Sequence, residues 1–200
     1  MKIAGGFFGI PRCWEINVPS VQGQILDTST GLGETHAIQN LFHQLHSLYR
    51  LTGLIETADP DVVVFLRPDL RYLDPLPSTL VASALRSPLT RFLPQWQWYR
   101  GFNDRLAICG RSAYQAYGRR IMDVHEFCQQ TGVPLHPESL LRFLLCLQRI
   151  WVRTTPRHST RIQVDGKEAE GTLSIQKMIG LYRHLFVFIR LWIKARIGRY

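Results

Sequence analysis

Residues 61–76, DVVVFLRPDLRYLDPL, decide the fold class of this chain. Four apolar residues, Val62 to Phe65, run into Leu66 and stop at Arg67-Pro68-Asp69. A β-branched and aromatic run this short, with no polar residue inside it, is the pattern of a strand buried on both faces, as in parallel sheets. Pro68 has no N–H to give a ladder and holds Arg67 in extended or turn geometry, so the strand ends there. Arg67 and Asp69 then sit just past the carboxyl end of a central strand, the edge at which open α/β sheets bind ligands. The alternative is a plain surface turn carrying an exposed ion pair.

Working outward, Lys2 to Ile10, KIAGGFFGI, reads as a first strand with Gly9-Ile10-Pro11-Arg12 as its exit loop. A glycine lets backbone approach a ligand, and an arginine beside it suits bidentate contact with a phosphate. An ordinary strand-to-helix turn has the same composition. Pro19 to Asp27 reads as a short helix opened by proline, and Asp27 to Glu34, DTSTGLGE, as a loop. His36 to Glu56 carries apolar residues at Ile38, Leu41, Leu45, Leu48, Leu51 and Ile55, the spacing of an amphipathic helix. His43 and His46 form an i, i+3 pair without a carboxylate at matching spacing, which favours a solvated helix face over a metal pair.

On the other side, Leu73 to Pro94 contains Pro75, Pro77, Pro88 and Pro94 and has no clear period, so it reads as a long irregular segment. Gln95 to Arg100, QWQWYR, offers aromatic faces for a sugar or base, although half-buried packing is the commoner fate of tryptophan. Asn103-Asp104-Arg105 leads into a second short apolar run, Leu106 to Cys109, closed by Gly110. Polar residues entering a buried strand need partners, which marks a possible site. Ser112 suits the N-cap of a helix over Ala113 to Phe127.

Pro134 to Ser139 opens another helix, whose Leu140, Leu141, Leu144, Leu145, Leu147 and Ile150 call for burial, with His136 and Glu138 at its amino end. A first-turn glutamate is stabilised by the helix dipole, and the same position would hold a general base or metal ligand firmly. A further strand falls near Thr160 to Val164, followed by the turn signal Asp165-Gly166. Met178 to Tyr200 reads as a basic amphipathic helix, suited to lie on a membrane surface, with packing on the domain or a partner as the rival.

The 200 residues suit one domain plus an appendage, read as 1–175 and 176–200, and 46% hydrophobic with 20% charged residues is a globular composition. The net charge of +9 invites a nucleic-acid reading, but Lys177, Arg183, Arg190, Lys194, Arg196 and Arg199 crowd an apolar tail that has no acid. That distribution weighs against nucleic acid as a partner. Cys13, Cys109, Cys128 and Cys146 show no CxxC pairing and read as reduced core residues. The amino-terminal apolar run is short and lacks a cleavage site, so it reads as a strand and not a signal peptide. Cytoplasmic residence, peripheral on a membrane's inner face through 178–200, is the expectation.

In FFGIPR, NLFHQLHSLYRLTGLIE, DVVVFLRPDLRYLDPL, GFNDRLAICG and LHPESLLRFLL, which together make up 60 of the 200 residues, the sequence resembles small GT-A-fold glycosyltransferases of bacteria, phages and large viruses. The resemblance implies an α/β fold with a GT-A-like, Rossmann-like, mostly parallel sheet flanked by helices. It also implies transfer of a sugar from a nucleotide-sugar donor to a glycan or lipid-linked acceptor. Arg67-Pro68-Asp69 resembles the Asp-x-Asp motif, whose carboxylates hold Mn²⁺ or Mg²⁺ against the donor diphosphate. Here Arg67 replaces the first aspartate, so either Asp69 binds the ion with fewer protein ligands or Arg67 takes over part of its role. Gly9, Arg12, Arg67, Asp69 and Asn103 are the implied donor contacts, with Asp104 placed to act on the donor sugar or acceptor. Glu138 is the implied base and His136 a further metal or phosphate ligand. The sequence departs from the family pattern at Asp27 to Thr35, where a further strand and loop would be expected. That departure sets a second reading beside the first, a non-catalytic relic that still binds nucleotide-sugar or glycan.

Overall fold

A computed structural model describes residues 1–8, 32–96, 98, 101–156 and 159–161. The elements are β1 (Ile3–Phe7), α1 (Leu32–Glu56), β2 (Val62–Leu66), β3 (Leu70–Tyr72), α2 (Ser78–Arg86), β4 (Thr90–Pro94) and β5 (Leu106–Gly110), in that order. After them come α3 (Tyr114–Gly118), a 3-10 turn (Arg120–Asp123), α4 (Val124–Thr131), α5 (Pro137–Leu147), β6 (Trp151–Thr155) and β7 (Ser159–Arg161). Five strands form one sheet in the order β1-β2-β5-β4-β6, and β3 pairs with β7 in a separate ribbon. The sheet is mixed but mostly parallel. Strand β2 runs parallel to β1 and β4 parallel to β6, while β5 lies antiparallel between β2 and β4.

Strand β2 behaves as its composition demands. Val62 and Val64 face one layer with Ala84, Phe92, Leu106 and Ile108, under α2. Val63 and Phe65 face the other with Leu48, Ala107, Cys109, Tyr117, Leu141 and Leu145, under α1, α3 and α5. Alternate side chains of a strand point to opposite faces, so a run with no polar member is stable only with both faces covered. Its neighbours are of both senses, parallel β1 and antiparallel β5. A second apolar cluster fills the space between helices, where Leu41, Phe42 and Leu45 of α1 meet Phe127 of α4 and Leu140, Phe143 and Leu144 of α5.

Several elements differ from the sequence expectation. The segment Leu73 to Pro94 is ordered as α2 and β4. Its prolines punctuate these elements without interrupting them. Pro77 is the N-cap of α2, with φ −72° and ψ 129°, Pro88 follows the C-cap Ser87, and Pro94 closes β4. The expected helix Ala113 to Phe127 is broken into α3, the 3-10 turn and α4, and Ser112 does not cap it. At the break Gly118 packs on α1, where an added Cβ would fall 1.8 Å from Thr52 Oγ1, and Arg120 turns inward to a buried acid. Helix α1 begins at Leu32, inside the stretch expected to be loop. His43 and His46 on α1 are half-buried and do not form a solvated face.

Strands β3 and β6 were not expected. The strand near Thr160 to Val164 is seen as β7 over Ser159–Arg161. The amino-terminal run is the edge strand β1. Among the described residues no helix is long and apolar enough to cross a membrane. Gly9, Arg12, the short helix Pro19 to Asp27 and the amphipathic helix 178–200 lie outside the described residues, as does the boundary at 175.

Candidate functional site

The reversal of β5 builds the site. Because β5 is antiparallel to β2, with Leu66 opposite Leu106 and Val62 opposite Gly110, its amino end meets the carboxyl end of β2. Residues 103–105 therefore lie beside residues 67–69. Tyr72 of β3 ties the two together. Its hydroxyl accepts the Arg67 N–H at 2.9 Å and donates to the Arg105 carbonyl at 3.1 Å. Burial is the largest influence on this phenol and pushes its pKa from 10.0 up to about 12, so it is a fixed neutral donor.

Arg67 continues the pleat toward the face covered by α1, and there it meets a chain of buried polar groups. Its Nε and Nη2 donate to Asp69 Oδ1 and Oδ2 at 2.8 and 2.7 Å, a bidentate fork, and its Nη1 donates to Gln44 Oε1 at 3.2 Å. Gln44 passes the contact on, its Nε2 donating to Asp104 Oδ2 at 2.9 Å. Arg120 Nη2 donates to the same Asp104 oxygen at 2.9 Å, with the guanidinium 4.5 Å from the centre of the Tyr117 ring. The Tyr117 hydroxyl donates to the Asp104 carbonyl at 2.6 Å. Two acids and two arginines thus alternate from Asp69 to Arg120, and the network is close to neutral. Burial opposes the charge of Arg67, but the hydrogen bond to Asp69 and the charges of Asp104 and Asp69 prevail and raise its pKa.

The other expected site residues fall in two groups. Asn103 is wholly buried and shapes the turn. Its Nδ2 donates to the Trp96 carbonyl at 2.8 Å and its Oδ1 accepts the Arg105 N–H at 2.9 Å, an Asx turn that aims the chain into β5. Glu138 and His136 reach the same edge through backbone. The Glu138 carbonyl accepts the Phe102 N–H at 3.1 Å, and α5 lies so close to Gly101 that an added Cβ would stand 2.0 Å from that carbonyl oxygen. Glu138 is buried in the first turn of α5, where His136 is the N-cap and its Nδ1 accepts the Glu138 N–H at 3.4 Å. Of the aromatic run, Trp96 is buried with the Arg105 guanidinium 5.6 Å from its ring centre, which is packing and not a free platform. Trp98 is half-buried, donates to the Pro94 carbonyl at 2.6 Å and meets Phe102 edge-on.

The residues given to a divalent ion by the family resemblance are Asp69 and His136. Both oxygens of Asp69 sit in the fork of Arg67, and among the described residues no group of three His, Cys, Asp or Glu is gathered to hold a metal ion. That donor set does not fit a resident divalent cation. What the edge offers instead is a guanidinium with a fifth of its side chain exposed. Among the described residues three of its five N–H groups are engaged, which leaves one on each terminal nitrogen. The Arg105 guanidinium, over the Trp96 ring, has its Nη1 buried without a hydrogen-bond partner.

Gln44, Arg120, Tyr117 and Tyr72 were not legible as site residues, whereas Arg105 was marked with Asn103 and Asp104. Gln44 had a signal, since it is a polar residue at helical spacing within the buried stripe Leu41, Leu45 and Leu48. Arg120 had none, because only the broken helix turns it inward. No family model matches the chain, and no curated protein or solved structure matches it either.

Proposed function

We propose that this chain is a glycosyltransferase of GT-A type that binds a nucleotide-sugar donor at the carboxyl edge of its mixed sheet. The observation that carries the reading is the meeting of Arg67 and Asp69 with Asn103 and Asp104, brought about by the single reversed strand β5. Ligands of open α/β sheets bind outside the carboxyl ends of the parallel strands, and a polar network spanning β2, β5 and α1 lies there. In this reading Arg67 faces the donor diphosphate, and Asn103 and Asp104 hold the wall of the pocket. Glu138, fixed in the first turn of α5, accepts the proton of the attacking acceptor hydroxyl, a glycan or lipid-linked sugar. Asp104 accepts from Gln44 and from a fully buried arginine, so its part is positioning.

The same burial favours a second reading, a binding module of this fold without chemistry, since neither Asp69 nor Asp104 is set up as a base. One experiment separates them. Release of UDP or GDP from a panel of UDP- and GDP-sugars is measured for the protein and for Glu138→Gln, with donor binding followed by calorimetry. Turnover that falls at least a hundred-fold in Glu138→Gln with binding retained supports the transferase. Binding without turnover in the unaltered protein, across the panel and with acceptor glycans present, establishes the binding module.

A further inference from the structure

We propose that the Arg67 guanidinium takes the place of a divalent cation at this site, so that a nucleoside diphosphate binds here without metal. The inference rests on the donor-site reading above and deepens it.

Three observations carry it. Asp69, the carboxylate that would reach a cation, has both oxygens within 2.8 Å of Arg67 nitrogens, so a dication could bind it only by displacing a bidentate guanidinium partner. Arg67 is held in place from the other side by Gln44, which is itself anchored on Asp104 and Arg120. An arginine gripped on two edges presents its remaining N–H groups in a fixed direction and loses little freedom on binding. Among the described residues those two N–H groups meet no partner, and the side chain is a fifth exposed at the carboxyl end of β2. A planar guanidinium matches two phosphate oxygens as a fork, which a lysine cannot do.

Asp69 then has the reverse of a ligand's role. Its negative charge orients Arg67 while opposing an anion beside it. The two schemes accordingly predict different outcomes for one substitution. If Asp69 holds a cation, Asp69→Asn abolishes binding. If Asp69 only orients Arg67, Asp69→Asn keeps metal-free diphosphate binding within a few-fold, because the loss of a like charge next to the ligand offsets the looser hold on Arg67.

The test is calorimetric titration of UDP and of GDP into the full-length protein, once in EDTA and once in Mn²⁺, for the unaltered chain, Asp69→Asn, Arg67→Met and Arg67→Lys. The expected result is binding in EDTA within about two-fold of that in Mn²⁺. Asp69→Asn should keep that affinity within a few-fold, with or without Mn²⁺. Arg67→Met should weaken it by roughly ten-fold or more, the scale of a lost charge-assisted hydrogen bond. Arg67→Lys should recover only part of that loss. Binding that appears only with Mn²⁺, or that disappears in Asp69→Asn, overturns the inference while leaving the donor site standing. Failure of UDP and GDP to bind in both solutions overturns the donor site and the inference with it. Should Arg67→Met fail to fold, the comparison of EDTA with Mn²⁺ and the retention or loss of binding in Asp69→Asn decide the matter without it.

Discussion

Asp104 is the joint of the polar network, and its removal gives the sharpest measurable consequence. The carboxylate accepts from Gln44 Nε2 and Arg120 Nη2, each at 2.9 Å, and the Arg120 side chain is fully buried. Asp104→Ala strands a buried guanidinium, whose Nε already has no partner, and leaves one amide donor unpaired. Breaking a buried ion pair from one side costs about 3–5 kcal/mol, and an unpaired buried donor adds about 1 kcal/mol. Against a total stability of about 5–15 kcal/mol this is a large fraction, and it corresponds to a fall in Tm of about 10 °C or more for a chain of this size.

Urea unfolding followed by tryptophan fluorescence and circular dichroism measures the loss, with an unchanged slope showing that the unfolded state is not altered. Arg120→Met should cost about 3 kcal/mol for the reciprocal reason. The double variant Asp104→Ala/Arg120→Met should lose about 2 kcal/mol less than the sum of the singles, because no charge is then left buried. A loss below about 1 kcal/mol for Asp104→Ala, or strict additivity of the pair, would refute the view that this ion pair is desolvated and mutually dependent.

Other outcomes follow from single contacts. Gly101→Ala should destabilise the protein by about 1–3 kcal/mol, since the added methyl meets the Glu138 backbone and not a flexible side chain, and the same unfolding curves will show it. Arg91 in β4 is fully buried, its Nη2 donates to the Ala113 carbonyl, and its Nε and Nη1 have no hydrogen-bond partner. Burial lowers its pKa, so Arg91→Met should leave stability unchanged or raise it by about 1 kcal/mol, and a loss above about 2 kcal/mol would contradict this.

At high pH, burial of Cys109 and Tyr72 raises their pKa from 9.0 to about 11 and from 10.0 to about 12. A folded-state pKa above the unfolded one favours the neutral form. Its contribution is therefore complete below the unfolded value and is lost as pH climbs to the folded one. Tm should accordingly decline from pH 9.0 upward, with Cys109, Tyr72 and the likewise buried Tyr117 among the groups whose contribution is lost. The decline should shrink in Tyr72→Phe, and Cys109 should resist alkylation at neutral pH. A native thiol that reacts as fast as a free one would place Cys109 elsewhere.

The parts of the fold that were legible are those in which composition dictates burial. Val62 to Phe65 could only be a doubly covered strand, and the leucines of α1 and α5 follow one helical face each. Pro68 marked the strand end, and the polar residues on either side of it, Arg67 and Asp69, pair with each other at that edge. Segments in which proline and β-branched residues share a short span were misread. Pro75, Pro77 and Pro88 suggested irregular chain, yet each stands outside α2, where a missing N–H costs nothing. Strand β6, WVRTT, is an edge strand with an exposed Trp151, so it lacks the alternation that marks a half-buried strand. The long helix expected from Ala113 is interrupted at Gly118, which lies close against Thr52 of α1.

By itself the sequence determined the α/β class, the strand Val62–Leu66, the helices α1 and α5, and the end of the strand at which polar residues collect. These depend on local composition and on the periods 2 and 3.6, which are properties of a short window. Only the tertiary structure decided that β5 runs backwards between β2 and β4, and with it that Asp104 stands beside Arg67. It likewise decided that Gln44 and Arg120 lie between and behind them. Strand direction and the inward turn of a broken helix are set by which distant surfaces can be buried together, and residues 44, 67, 104 and 120 meet through contacts that no window of sequence contains.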